Sequence, residues 1–141
     1  MKAIRSLLLL ISLLAGCTTS EKKLLVINVL DKDSYDDCHI KGSINVPLEE
    51  LDSYAAKLNK DIEIIIYCSN YMCTASSFAK DMLMEKGFKK VSAYEGGMAE
   101  WYAEKGFPTE GPCKNGYLSQ AVKKPEKVEM TAEEVRQKMA A

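Results

Sequence analysis

Histidine is nearly absent from this chain: His39 is the only one among 141 residues. A structural zinc site would need four cysteines, or three with His39. The spacing supplies one pair, Cys68-x4-Cys73, and no second knuckle. No metal or cofactor is therefore expected. An excess of either charge is missing too, since 19 Lys and Arg face 20 Asp and Glu for a formal net charge of −1. That balance argues against a nucleic-acid partner and against a polybasic membrane contact. The apolar run from Leu7 to Leu14 is too short to span a bilayer comfortably. The length fits one domain with a full core.

What the sequence does contain begins at its amino end. Lys2 and Arg5 precede the apolar run, and Leu14-Ala15-Gly16-Cys17 forms a small-residue cleavage site ending in cysteine. This start resembles a bacterial lipoprotein signal, an ordinary secretory signal or uncleaved anchor being the alternatives. The resemblance implies cleavage before Cys17, acyl chains such as palmitate on Cys17, and a place in the bacterial cell envelope with the membrane as partner. Thr18, where an aspartate would retain the protein at the inner membrane, implies the periplasmic face of the outer membrane in a Gram-negative cell. Residues 1–16 are thus read as signal and 17–23 as a lipidated tether reaching only ~20 Å.

Short branched apolar runs at 24–29, 44–46, 62–67 and 90–94 read as strands. Between them lie helical patterns: one opened by Pro47, one over 74–86 with Ala75, Phe78, Ala79, Met82 and Leu83 on one face, and one over 98–105 ended by Gly106. The acidic stretch from Asp31 to Asp37 is assigned no element. Alternation of this kind predicts an α/β fold, a parallel sheet of about five strands with helices on both faces. Residues 112–127 read as a linker in which Lys123, Lys124 and Lys127 are solvated. In the last segment, 128–141, a short strand at 128–130 precedes the capping box Thr131-Ala132-Glu133-Glu134 and a helix with Val135 and Met139 on one face.

The candidate site is the stretch Cys68-Ser69-Asn70-Tyr71-Met72-Cys73, between the strand at 62–67 and the helix that Thr74 begins. Unpaired N–H groups at a helix start favour an anion and lower a thiol's pKa, which predicts a usable Cys68 thiolate. The alternative is a cysteine that ends a buried strand as inert core.

These residues resemble the rhodanese-like domain over 24–111. Three stretches carry the match: Val26-Ile27-Asn28-Val29 with Tyr35 and His39-Ile40-Lys41-Gly42-Ser43-Ile44-Asn45-Val46-Pro47; Ile65-Ile66-Tyr67-Cys68 with a loop of rhodanese length; and Gly87-Phe88-x-x-Val91 with Gly96-Gly97-Met98-Ala99-Glu100-Trp101 and Gly106-Phe107-Pro108. The resemblance implies a sulfurtransferase whose partners are a small sulfur donor and a thiol acceptor. Cys68 would carry sulfane sulfur as a persulfide within the active-site loop Ser69, Asn70, Tyr71, Met72, Cys73 and Thr74. Two departures stand out. Cys73 replaces the arginine usual at the loop's end, with no Lys or Arg between Cys68 and Lys80, and Asn28 and Leu30 replace the family's Asp and Arg. Efficient use of anionic thiosulfate is therefore not expected. Phosphatases of the same fold need arginine six positions after the cysteine, where this chain has Thr74, so phosphate chemistry is not expected either.

Cys73 opens a second function, an envelope thiol–disulfide redox protein in which it closes a disulfide with Cys68. A binding module without catalysis is the third. His39 is read as a loop-orienting residue rather than a proton-transfer group. Cys38 and Cys113, two further thiols in an oxidising space, are candidates for a disulfide. The family's usual opening strand and helix are missing ahead of Leu24. Residues 128–139 either supply them as a circular permutation that completes the sheet edge, or form a loose tail.

Overall fold

The computed structural model describes residues 24–120 and 122–141. The expected signal, the acylated Cys17 and the tether lie outside these residues. Strand β1 (Leu24–Asn28) is an apolar, branched run whose side chains are buried on both faces, as a central parallel strand requires. Helix α1 (Lys32–Asp37) follows, although the acidic stretch had suggested no element. Its start is set by Asp31, whose carboxylate accepts the Ser34 N–H at 2.9 Å. Next come β2 (His39–Ile40), β3 (Ile44–Asn45), a 3₁₀ turn over Leu48–Glu50 and α2 (Leu51–Ala55). The second half holds β4 (Glu63–Tyr67), α3 (Ala75–Glu85), β5 (Val91–Tyr94), a π-helical segment over Ala99–Glu104, β6 (Thr109–Glu110), a 3₁₀ turn over Gly116–Ser119 and α4 (Ala132–Ala140).

The main sheet is parallel and has the order β3-β1-β4-β5, in the expected α/β architecture with four strands rather than about five. Asn28 sits level with Asn45 on one side and Tyr67 on the other, which places the ends of β1 and β4 side by side. One face of the sheet, with Ile27, Ile64, Ile66 and Cys68, packs on Leu51 and Ala55 of α2 and Ala79 and Leu83 of α3. The other, with Val26, Ile65, Tyr67 and Tyr94, packs on Met98, Trp101, Met130, Ala132 and Val135. Helices thus cover both faces. Within α3 the inward positions are Ser76, Ala79 and Leu83, while Phe78, expected on the apolar face, is exposed.

Residues 128–130 form no strand, which corrects the expected extra edge. The physical reason is the fate of the backbone: the N–H of Glu129 binds the Glu95 carboxylate at 3.1 Å instead of entering a ladder with β5. Helix α4 starts at the capping box, Thr131 Oγ1 accepting the Glu134 N–H and Glu134 Oε2 accepting the Thr131 N–H. It buries Ala132 and Val135 against the sheet, with Met139 half-buried. Strands β2 and β6 pair as a small antiparallel ribbon, and beside it Cys38 and Cys113 form a disulfide with Cα atoms 4.6 Å apart. Among the described residues no helix is long and apolar enough to cross a membrane, and no group of His, Cys, Asp and Glu could hold a metal ion.

Candidate active site

Strand β4 runs through the middle of the sheet and delivers Cys68 to its end. Pleat alternation turns Ile64, Ile66 and Cys68 toward α3, so the thiol lies under the helix's first turn and is fully buried. Its Sγ donates to the Cys73 carbonyl at 3.3 Å and lies 3.6 Å from the Ser76 hydroxyl. The loop above is braced by Asn70. The Asn70 carbonyl accepts the Cys73 N–H and its Oδ1 accepts the Met72 N–H, both at 2.9 Å. A turn from the far side of β5 supports the loop from below: Met98 N–H donates to the Cys68 carbonyl at 3.1 Å and Ala99 N–H to that of Ser69 at 2.9 Å. Gly97 permits this approach, since its φ is +57° and a β-carbon there would overlap the Cys68 carbonyl oxygen.

The two loop thiols share their protons unequally. Cys73, half-buried, is held down at about 5, first by the thiol of Cys68 donating to it and then by the N–H groups of Ala75 and Ser69, against some burial. Cys68 is pushed up, first by its hydrogen bond to Cys73 and then by burial. The hydrogen bond to Cys73 and burial thus oppose the expected Cys68 thiolate, while backbone N–H groups serve both sulfurs, those of Ala75 and Ser69 at Cys73 and that of Ser76 at Cys68. Thr74 occupies the cap position of α3 without a side-chain capping bond.

The model of the rhodanese-like domain family matches residues 15–104 of this sequence. The chain belongs to that family. It is 30% identical over 95 residues to a thiosulfate sulfurtransferase, GlpE, of Coxiella burnetii, covering 67% of this chain and 85% of the relative. A putative sulfur carrier protein, YrkF, of Bacillus subtilis is 33% identical over 58% of this chain and 43% of its own length. Among solved structures, the rhodanese-like domain of the Alr3790 protein from Anabaena sp. superposes with a TM-score of 0.55 at 34% identity, covering 62% of this chain and 86% of that one. The BH2092 protein from Bacillus halodurans gives 0.59 at 26% identity, covering 66% and 67%.

In this rhodanese-like domain the loop's outer residues meet the carboxyl-terminal segment. Met72 is exposed, and the half-buried Tyr71 ring has Lys124 Nζ 5.9 Å from its centroid. Lys124, expected to be solvated, pairs at 3.0 Å with Glu100, whose side chain is buried. Sequence reasoning missed Glu100, and a lone acidic residue in a helical pattern offers no signal of burial. Burial, together with the Glu100 carboxylate, raises the phenols of Tyr71 and Tyr94. Lys124, which stands over the loop's Tyr71, is therefore already paired.

The remaining candidates fall elsewhere. His39 Nδ1–H donates to the Tyr35 carbonyl at 2.7 Å, its ring stacks on that of Tyr35, and Nε2 lies 3.4 Å from Glu110. Those partners belong to α1 and β6, not to the loop. Tyr67, one residue before Cys68, bonds Ser43 Oγ at 2.8 Å and accepts the Ile40 N–H at 3.0 Å, and burial raises its phenol to about 12. It ties β4 to the β2–β3 turn. Asn28 accepts the Leu30 N–H at 2.9 Å and Asn45 Nδ2 donates to the Leu30 carbonyl at 2.9 Å, so amides order the end of β1.

Proposed function

We propose that this domain is a sulfurtransferase that carries sulfane sulfur as a persulfide on Cys68 and passes it to a thiol acceptor. One observation carries the reading: Cys68 ends the central strand inside a short loop whose backbone converges on its thiol-bearing turn. The thiolate attacks the outer sulfur of the donor, the donor's leaving group departs with the bonding electron pair, and a Cys68 persulfide remains. An acceptor thiolate then attacks the outer sulfur and Cys68 leaves as thiolate. Backbone N–H groups at the start of α3 favour the anionic states along this path. With no cation from Cys68 to Lys80 and Lys124 paired to Glu100, the loop suits a thiol-borne persulfide or polysulfide better than thiosulfate.

The test is to incubate the reduced chain with thiosulfate, a polysulfide or a small persulfide and to map adducts by mass spectrometry. One added sulfur on Cys68 is expected, and no adduct with any donor refutes the reading. Two free thiols in one loop favour a second one, in which Cys68 and Cys73 form a reversible disulfide. Thiols that both stay free under a mild disulfide oxidant count against it. We also propose that Cys17 is acylated and holds the domain at the cell envelope. Labelling with a palmitate analogue, lost in Cys17→Ser, is the expected result; an unlabelled wild type overturns it.

A further inference from the structure

We propose that sulfur enters this site at Cys73 and is handed from Cys73 to Cys68, so that the loop works as a two-thiol relay. The proposal rests on the sulfur-carrier reading above and adds the point of entry.

Access is the first argument. Cys68 has no exposed surface and lies beneath the Cys73 carbonyl, to which its thiol donates, and the Ser76 hydroxyl. Cys73 is only half-buried, one residue from the exposed Met72, and takes the loop position nearest the helix start. A donor arriving from solvent meets Cys73 first. Charge acts in the same direction: the Cys68 thiol and the N–H groups of Ala75 and Ser69 lower Cys73, whereas the bond to Cys73 and burial raise Cys68. Nucleophilic attack needs the thiolate, and it is available on the accessible sulfur.

The steps balance. The Cys73 thiolate attacks the outer sulfur of a hydropersulfide donor, R–S–SH; the S–S bond breaks and R–S⁻ leaves with the electron pair, giving Cys73–S–SH. Cys68 passes its proton to the departing R–S⁻, and the resulting Cys68 thiolate attacks the outer sulfur of Cys73–S–SH. That S–S bond breaks, Cys73 is restored as thiolate, and Cys68–S–SH remains under α3. No oxidant or reductant is consumed. The buried end of the relay shields the sulfane sulfur from adventitious thiols, and release to a chosen acceptor runs the same steps in reverse.

The test is a single turnover of the full reduced chain with glutathione hydropersulfide at pH 7, quenched by an alkylating agent at short intervals. Fragmentation must locate the adduct, because no Lys or Arg separates the two cysteines. In the wild type the sulfur is expected on Cys73 first and on Cys68 later, and its appearance on Cys68 first overturns the relay. Cys68→Ser should trap the adduct on Cys73, whereas failure of that variant to take up sulfur overturns the relay. Cys73→Ser should slow loading of Cys68 by at least about tenfold, with a native near-UV spectrum showing that the variant folds. Loading of Cys68 in Cys73→Ser at the wild-type rate overturns the relay and leaves the carrier reading standing. Absence of uptake in the wild type overturns both.

Discussion

Gly97 and Gly106 have nearly the same backbone, φ +57° and +60°, yet opposite surroundings. A β-carbon on Gly97 would overlap the Cys68 carbonyl oxygen and lie 2.8 Å from the Ser69 carbonyl carbon, whereas one on Gly106 meets nothing within 4 Å. Alanine at either site carries the left-handed penalty of about 1–2 kcal/mol. Gly97→Ala adds an overlap with backbone that cannot swing aside, costing about 1–3 kcal/mol more, for a total of about 2–5 kcal/mol. Gly106→Ala should stop at about 1–2 kcal/mol. Urea unfolding with equal m-values reads both numbers, and at roughly 4 °C per kcal/mol the two melting temperatures should separate clearly. The Gly97 variant should also lose sulfur uptake, since the Met98 and Ala99 N–H groups can no longer hold the carbonyls of Cys68 and Ser69. Equal destabilisation by the two substitutions would show that the 97–99 turn does not press against the cysteine loop, and would refute the reasoning.

Three further outcomes follow from the same geometry. The Cys38–Cys113 disulfide closes a long loop, with a sequence separation of 75; its loss in Cys113→Ser should cost about 4 kcal/mol by loop-closure entropy, measured by urea unfolding, and peptide maps without reduction that show both thiols free would contradict it. Tyr67→Phe leaves the Ile40 N–H without the phenol that accepts it, while the Ser43 hydroxyl keeps the Ile40 carbonyl, so a loss of about 1–3 kcal/mol is expected; a neutral result removes Tyr67 from its bracing role. Because the folded Cys73 thiol is held at about 5, below its ordinary value of 9.0, its contribution is complete above pH 9 and is lost as pH falls through 5. Stability between pH 5 and 9 should rise more steeply in the wild type than in Cys73→Ser, and parallel curves would place the charge elsewhere.

Much of the fold is legible in the chain because the signals are local. The runs Leu24–Asn28 and Glu63–Tyr67 are branched and apolar enough to be central strands whatever surrounds them. Thr131 and Glu134 satisfy the orphan N–H groups of α4 by themselves. Asp31 with Ser34 carried a cap of the same kind that pointed to α1, obscured by the acidity of the stretch. By contrast, nothing in the spacing of Val128, Glu129 and Met130 reveals that Glu95 captures the Glu129 N–H and prevents a strand. The pairing of β2 with β6 brings together residues about 70 positions apart, and two-residue strands leave no periodicity to read.

At the site the division is sharper. Sequence alone determined that a cysteine ends the central strand, that a second thiol stands at the end of the loop, and that no cation lies between Cys68 and Lys80. Residue type and spacing suffice for those facts, because strand end, loop length and helix start are set by neighbours along the chain. Only the tertiary structure decided how deeply each sulfur lies. The bond to Cys73 and burial beneath α3 raise Cys68, whereas the Cys68 thiol and the Ala75 and Ser69 N–H groups lower Cys73. It also decided that Lys124 is engaged by Glu100 and that His39 stacks on Tyr35 away from the loop. Burial and electrostatics are properties of what the fold packs together, so a sequence can name the thiols but not apportion their protons.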